Sequence, residues 1–361
     1  MRYYIFSALL LALFLPTADA QNSGNNSINL LTQKKGVSIR ALSIPNENTI
    51  WASGSKGSIA LSKDGGKNFT WKQIQGYENR DFRSLHAWNK LEAILAAIAA
   101  PAIVLKTKDG GDSWYKVYEN TDTLMFLDAL HFKDSLNGTI VGDPINQKLF
   151  LLTTKDKGEH WQEAASTYFK STLKEGEAFF ASSNSNITSV NGADFFVTGG
   201  MTSRLWINGT AIALPLKQGE KTTGANSMAI NPSKNTMIIV GGDFTKKEDA
   251  ANNITGFEFS SYAKPKWNSE VSLKYKSLSK WVLHKKLGNP HGYKSSVVFI
   301  NNKWLITCGT SGVDISKNKG KNWDLISTES FHVVQKQPGK QAVILAGADG
   351  RIGYLNFDAL Q

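Results

Sequence analysis

Cysteine is almost absent from this sequence. The 361 residues include a single one, Cys308, so no internal disulfide can form and the core must hold the fold. The six histidines are dispersed without the short spacings of metal ligands, and we expect no metal site. No Gly-x-Gly-x-x-Gly run precedes a predicted helix and no cysteine pair could attach a haem, so the sequence predicts no cofactor.

Arginine is also scarce. Lys and Arg number 41 against 30 Asp and Glu, a formal net charge of +11, yet after residue 20 arginine occurs only at Arg40, Arg80, Arg83, Arg204 and Arg351. The basic excess is therefore lysine, and lysine scattered through polar turns is typical of a solvated surface. Aromatic residues do not alternate with basic runs as they do in single-strand binders, so we expect no nucleic-acid partner.

Long hydrophobic runs are limited to two. The first, residues 5–15, is too short to span a bilayer and lies between Arg2 and the Ala-Asp-Ala of 18–20, a pattern that predicts a cleaved signal peptide over residues 1–20. Residues 21–27 are predicted to be a disordered polar lead-in. We therefore expect an exported protein, periplasmic or extracellular, that is monomeric and has no membrane span after cleavage.

The second run, residues 91–105, is rich in alanine and has the composition of a helix or a membrane span. Its place in the repeat pattern described next predicts instead two buried strands that meet near Ala100 and Pro101. A short helical insertion is the alternative.

A repeated turn dominates what is present. The pattern is Ser/Thr-x-Asp-x-Gly-x-x-aromatic, in which the hydroxyl and carboxylate can accept hydrogen bonds from the turn's own N–H groups. Glycine can take the positive φ, and the aromatic ring folds back under the hairpin. The copies, the last with Asn in place of Asp, are Ser62, Asp64, Gly66 and Phe69; Thr107, Asp109, Gly111 and Trp114; Thr154, Asp156, Gly158 and Trp161; and Ser316, Asn318, Gly320 and Trp323.

The turns recur at intervals of roughly 45 residues, the length of one four-stranded propeller blade. Period-two alternation between them predicts an all-β chain, a single seven-bladed β-propeller over residues 28–361. The first five blades are predicted at 38–74, 81–118, 124–164, 176–216 and 225–270. The sixth contains the Asn318 turn, and the seventh, around 342–355, is short of strands. We expect an N-terminal strand near residues 28–32 to complete the seventh blade and close the ring.

The turn resembles the Asp-box of bacterial-neuraminidase-repeat propellers. The order of the other motifs resembles one exported bacterial family, the photosystem II stability and assembly factor group of seven-bladed propellers. These motifs include Asp-Phe-Arg at 81–83, Gly-Asp-Pro at 142–144 and Val-Gly-Gly-Asp at 240–243. The resemblance implies a propeller scaffold, and relatives labelled oxidoreductases lack a cofactor motif. The chain departs from the family in its degenerate turns, its alanine-rich run and a Lys-rich stretch at 264–286.

Charged and polar residues lie on the first or second predicted strands of successive blades, or just beyond them, and are predicted to converge at one mouth of the central channel. Two interpretations are open: these groups satisfy one another, or their arginines bind a carboxylate, phosphate or polypeptide terminus. The candidates are Arg40, Arg83, Asp128, Asp143, Glu177, Ser183, Asn184, Arg204, Asp243 and Tyr293.

The functional hypothesis is an exported non-catalytic propeller that binds another protein or an envelope ligand. The alternative is a sialidase-like glycoside hydrolase, in which Arg40, Arg83 and Arg204 would hold a substrate carboxylate. Tyr293 and Glu177 would then form the nucleophile pair. Against this, no proline follows Arg40, and the order and spacing of the other arginines do not match. An oxidoreductase is less well supported still.

Overall fold

The computed structural model describes residues 28–190, 192–259, 281–283 and 287–357. The predicted signal peptide, the polar lead-in and most of the Lys-rich stretch at 264–286 lie outside these residues. Within them almost all of the regular secondary structure is β-strand, with antiparallel pairing throughout. No helix in the described residues is long and apolar enough to cross a membrane.

The first three blades are separate four-stranded sheets, and in each the strands follow chain order from the inside outwards. Blade 1 contains β2 (Ile39–Asn46), β3 (Thr49–Gly54), β4 (Ser58–Ser62) and β5 (Thr70–Gln73). Blade 2 contains β6 (Phe82–Ala87), β7 (Ala93–Ala97), β8 (Ala102–Thr107) and β9 (Tyr115–Asn120). Blade 3 contains β10 (Leu127–Phe132), β11 (Gly138–Ile145), β12 (Lys148–Thr154) and the very short β13 (Gln162–Glu163).

Blades 4 and 5 are joined into one sheet by a single pairing between Gly199 and Gly224. Before blade 4, residues Ser166–Tyr168 form a 3-10 helix and β14 (Glu177–Ala178) pairs with the end of β16. Blade 4 contains β15 (Ile187–Val190), β16 (Ala193–Gly200), β17 (Arg204–Ile207) and β18 (Thr210–Ala213). Blade 5 contains β19 (Thr223–Ile230), β20 (Thr236–Asp243), β21 (Ile254–Phe259) and β22 (Trp281–Leu283).

The last two blades complete the ring. Blade 6 contains β23 (Ser296–Phe299), β24 (Leu305–Gly309), β25 (Gly312–Ser316) and β26 (Asp324–Ser327). Blade 7 contains β27 (Val333–Lys336), β28 (Ala342–Ala346) and β29 (Ile352–Asn356), and its outermost strand is the N-terminal β1 (Ile28–Thr32). β1 pairs antiparallel with β29, so the predicted closure of a seven-bladed ring by the N-terminal strand is confirmed.

The alanine-rich run forms strands, as predicted, and the helical alternative is wrong. β7 and β8 are buried along their whole length, and the chain turns between them at Ala100 and Pro101. Small side chains are needed here because neighbouring blades pack on both faces of these strands.

The repeated turns bond to themselves. The Thr107 hydroxyl and the Ser113 N–H both donate to Asp109 Oδ1, at 2.8 and 3.0 Å, and the Gly111 N–H donates to Thr107 Oγ1 at 3.0 Å. Gly111 has φ of +78° and a Cβ there would lie 2.8 Å from Ile59, so only glycine fits. The turns of Asp64, Asp156 and Asn318 repeat these bonds.

Lysines connect each of two blades to the turn of the next. Lys72 Nζ of blade 1 donates to the carbonyl of Gly110 at 3.0 Å, and Lys106 Nζ of blade 2 donates to the carbonyl of Lys157 at 2.8 Å. The Lys106 side chain is buried, so its ammonium depends on this carbonyl and on Glu159, 2.8 Å away. The turns therefore contribute to blade-to-blade contact as well as to their own hairpins.

Candidate functional site

The candidate site lies where the inner strands begin, at one mouth of the channel. In blades 1, 2, 3 and 5 the pairing of the inner strand with its neighbour slips by one residue near the start of the strand. The residues left out of the ladder by these bulges are Arg40, Arg83, Asp128 and Asn226. A bulge re-aims a side chain out of the sheet, so four blades place a polar group at the same height of the ring.

Arg40 and Arg83 form the basic part of the mouth. Arg83 Nε lies 2.8 Å from Asp81 Oδ2, and both side chains are partly exposed. Arg40 is half-buried, its Nε is enclosed without a hydrogen-bond partner, and the guanidinium forms no ion pair in the described part of the chain. Burial and the neighbouring charge of Arg83 lower the pKa of Arg40. Asp81 therefore pairs with only one of the two guanidinium groups.

Asp128 and Asp143 add two acidic groups whose pKa values are raised by burial. Asp128 is fully buried, and its carboxylate oxygens lack well-formed hydrogen bonds. Burial, and then the charge of Asp143, raise the pKa of Asp128 well above its usual value. Burial also raises the pKa of Asp143 to about 6, although the Phe179 N–H donates to Asp143 Oδ1 at 3.1 Å. The raised pKa means that burial disfavours the charged form of Asp128, which makes it a weaker partner for the positive charge of Arg83.

Glu177 and Arg204 satisfy each other away from the arginine pair. Arg204 Nε donates to Glu177 Oε1 at 2.9 Å, Nη2 bonds to Oε2, and the guanidinium stacks 4.5 Å from the Trp206 ring. Arg204 also donates to the carbonyl of Thr172 at 2.9 Å, and Trp206 Nε1 donates to Glu177 at 3.0 Å. Both charged side chains are buried. The mutual-satisfaction interpretation thus fits this pair, which leaves Arg204 without a free edge for a ligand.

Three other candidate side chains form hydrogen bonds to backbone groups. Asn184 accepts the Leu130 N–H at 2.8 Å and donates to the carbonyl of Leu85 at 3.0 Å. Ser183 donates to the carbonyl of Ser295 at 2.6 Å across the channel. Asp243 accepts from the Thr245 N–H and hydroxyl, at 3.0 and 2.7 Å, which fixes the turn that follows β20.

Tyr293 is buried close enough to Arg40 for that charge to lower its pKa, although burial has the larger and opposite effect. Its hydroxyl donates to Asn226 Oδ1 at 2.9 Å, and burial raises the pKa of Tyr293 above its usual value. Its ring contacts Phe244 edge-on, with centroids 6.4 Å apart, and Phe244 is 45% exposed. No contact joins Tyr293 to Glu177 in the part of the chain that the structure describes. A raised pKa opposes the ionised phenol that a tyrosine nucleophile needs.

Sequence reasoning missed several members of the mouth. His332 is buried and its pKa is lowered to about 3 by burial and then by the charges of Arg40, Arg83 and Arg351. Asp81 and Asn226 were also missed. The sequence did contain a signal, because the inner strands share a three-residue pattern of an apolar, a polar and a small residue near their start. Ile39-Arg40-Ala41 and Ala225-Asn226-Ser227 are two examples. Aligning the blades on this pattern, instead of on the turns, would have found Asn226.

A cleft opens beside the mouth between blade 3 and the connection that leads to blade 4. One cavity of about 330 Å³ is lined by Asp143, Gln147, Leu173 and Glu177, among others. It adjoins a larger cavity of about 690 Å³, which shares Gln147 and Leu173 and extends towards the outer edge of blade 3. Within the described residues, no group of three or more His, Cys, Asp and Glu side chains could hold a metal ion.

Comparison with known proteins places the fold among solved propellers. The sequence matches no model of a protein family and no curated protein. The structure is similar to that of YCF48 bound to D1 peptide, with a TM-score of 0.58, 14% identity and coverage of 91% of this chain and 96% of that one. It is also similar to YCF48 from Cyanidioschyzon merolae, with a TM-score of 0.56, 13% identity and coverage of 92% and 99%.

A third similar structure is the Niastella koreensis GH74 enzyme, with a TM-score of 0.56 and 11% identity. The match covers 91% of this chain and 53% of the enzyme, so this chain spans about half the length of that protein. The expected similarity to photosystem II assembly factor propellers is therefore confirmed at the level of the fold.

Proposed function

We propose that this chain is an exported, non-catalytic propeller that binds a polypeptide partner at the channel mouth, in the manner of an assembly factor. The observation that carries the proposal is the guanidinium of Arg40, half-buried and without an ion pair beside Arg83 in the described residues. Desolvating a guanidinium costs free energy, and a bound anion would offset that cost.

The charge balance at the mouth favours a carboxylate ligand. Asp81 pairs with only one of the two arginines, and burial disfavours the charged form of Asp128. A guanidinium donates two parallel N–H groups, a geometry that matches the carboxylate of an acidic side chain or of a polypeptide terminus.

An exposed aromatic ring at the mouth favours a polypeptide over a small anion. Phe244 is 45% exposed and packs between Tyr293 and Phe180. An exposed ring that is held by its neighbours offers contact area at little entropic cost. One of the similar structures is of YCF48 bound to a peptide, which supports this class of ligand.

The test uses the immobilised protein and two peptide pools of identical sequences, one ending in a free carboxylate and the other in an amide. We expect the free-acid pool to be retained and the amide pool to be lost. An Arg40→Lys, Arg83→Lys double variant of unchanged melting temperature should retain neither. Equal retention of both pools would show that a terminal carboxylate is not what the mouth recognises, and an envelope extract would then be used to seek acidic side chains.

A carboxylate-based glycoside hydrolase is the second candidate, favoured by one observation. Asp143 lines the 330 Å³ cavity with a pKa raised to about 6, and burial raises the pKa of the neighbouring Asp128 well above its usual value. Paired carboxyl groups of different pKa are what such hydrolases use, and a GH74 enzyme is among the similar structures. Release of reducing sugar from soluble polysaccharides by pure protein, lost in Asp143→Asn, would support this candidate. Absence of turnover would leave the binding proposal standing.

A further inference from the structure

Blade 3 has an incomplete outer edge. Its outer strand β13 is two residues long and pairs with β12 only at Leu152 and Thr153. The ladder continues for one more bond, from the Ala164 N–H to the carbonyl of Leu151 at 2.8 Å. The chain then turns away into the 3-10 helix at Ser166–Tyr168.

The N-terminal end of β12 consequently lacks a partner strand on its outer side within the described residues. No strand in the described part of the chain pairs with the outer edge of β12 at residues 148–150. Successive residues of a strand direct their N–H and C=O groups to opposite edges. Because Leu151 and Thr153 face β13, the backbone groups of Leu149 face the same, open side.

The open edge forms one wall of the 690 Å³ cavity. Leu149 and Phe150 line this wall, and Phe169 and Leu173, from the connection to blade 4, line the cavity with them. A strand edge beside an apolar wall is the arrangement that accepts an added strand from another chain. At ~3.3 Å per residue, the uncovered length suits a segment of about three residues.

The groove is acidic, whereas the chain as a whole is basic. Asp122 and Glu163 line it against the single Lys148, and neither carboxylate forms an ion pair within the described residues. The adjoining cavity adds Asp143 and Glu175 against Lys174. In a chain of net charge +11, an acidic groove is complementary to a basic ligand.

We infer that this groove, lined by Leu149, Phe150, Phe169, Leu173 and Asp122, binds an extended basic peptide, which adds to β12 as a further strand of blade 3. The site is separate from the arginine pair of the mouth and selects the opposite charge. Alternating apolar and basic residues fit it best, because the apolar side chains would contact Phe169 and Leu173 while the basic ones reach Asp122 or Glu163.

The test uses the full-length protein and the fluorescent hexapeptide Val-Lys-Val-Lys-Val-Lys in anisotropy titrations. Two derivatives carry N-methyl groups on either all valines or all lysines. Since only one of the two sets of N–H groups can face β12, we expect one derivative to lose at least tenfold in affinity and the other to bind as the parent does. The peptide Val-Glu-Val-Glu-Val-Glu should bind more weakly than the lysine peptide.

Variants of the protein locate the site. Leu149→Pro removes the outward N–H without removing a bond to β11, and we expect at least a tenfold loss of affinity. Leu173→Trp fills the groove from the opposite wall, and we expect the same tenfold loss of affinity. This variant replaces Leu149→Pro as the test if the proline lowers the melting temperature. Arg40→Lys with Arg83→Lys should leave this peptide's affinity unchanged. Equal binding by both N-methylated peptides, absence of binding by the parent peptide at millimolar concentration, or full affinity in folded Leu173→Trp would each overturn the inference.

Discussion

Arg40 and Arg83 occupy the same bulged position on neighbouring blades, and the charge of Arg83 lowers the pKa of Arg40. Like charges this close raise the free energy of the free protein, and Asp81 compensates only Arg83 directly. The ring that holds them is rigid, because both inner strands are buried between packed blades. The packing of the fold therefore offsets the free energy of this charge repulsion, and the repulsion is relieved when an anion binds.

Replacing Arg83 by Lys should weaken capture of a carboxylate-bearing peptide about tenfold or more, because an ammonium cannot donate two parallel N–H groups. The melting temperature should change little, since Asp81 keeps a cationic partner. Surface plasmon resonance with free-acid and amide peptides measures the loss. Lys72→Arg is the matched control on the outer rim, and an equal effect there would argue against a specific site.

Replacing Asp109 by Ala should lower the free energy of unfolding by about 1–2 kcal/mol, because the hydroxyl of Thr107 and the N–H of Ser113 lose their acceptor. Peptide binding should be unaffected. Asp109→Asn should cost less, since Asn318 already serves the same role in blade 6 by accepting the Asn322 N–H at 2.9 Å. Urea unfolding of the two variants measures the difference. Lost binding at an unchanged stability would contradict a structural role for the turn.

A version of the chain beginning at Ser38 should aggregate or unfold at a lower temperature than one beginning at Gln21. Without β1, the edge of β29 is unpaired and the buried side chain of Ile28 is missing from the core of blade 7. Light scattering during thermal unfolding compares the two. Indistinguishable melting and scattering curves would show that β1 is dispensable for ring closure.

Stability should depend on pH through Asp143. Its pKa in the fold is about 6, whereas an unfolded aspartate titrates near 4, so the folded state binds this proton more tightly. The stabilisation is present below about pH 4 and is lost as the pH rises to about 6. Relative to Asp143→Asn, the wild type should therefore lose about 1–3 kcal/mol between pH 4 and pH 7. Urea unfolding at both pH values tests this, and a constant difference between the two proteins would contradict the raised pKa.

Tyr293→Phe should weaken peptide capture by no more than about 0.5–1.5 kcal/mol, because only the hydrogen bond to Asn226 is removed. The wild type should hydrolyse no sialoside. Fluorogenic sialosides test the second statement directly. Turnover by pure wild type that disappears in this variant would overturn the binding interpretation.

The sequence predicted the architecture well because its signals are local. A turn such as that of Asp109 bonds to its own residues, and the strands at Ala93–Ala97 and Ala102–Thr107 follow from their place in a regular repeat. The N-terminal strand followed from a shortage of strands in the last blade. None of these inferences required knowledge of which blades touch.

The candidate site was predicted less well because it depends on register. Whether an arginine faces the channel or a neighbouring strand is decided by a one-residue bulge, and the short pattern that accompanies the bulges is recognised only when the blades are aligned on their inner strands. Glu177 meets Arg204 only because β14 pairs with the end of β16, and Tyr293 is buried because Phe244 packs against it. The shortness of β13, which opens the groove in blade 3, is set by where the chain departs towards blade 4.

The pairing of β1 with β29 has a mechanical consequence. Ile28 lies opposite Leu355, so the outer ends of both strands meet at the same end of the pair. A force that pulls these two ends apart breaks the hydrogen bonds one after another, which is the unzipping geometry. In the shear geometry, by contrast, all of the hydrogen bonds would bear the force together. Ile28 is the one buried residue of β1, so the pair yields to a modest tension applied at its two ends.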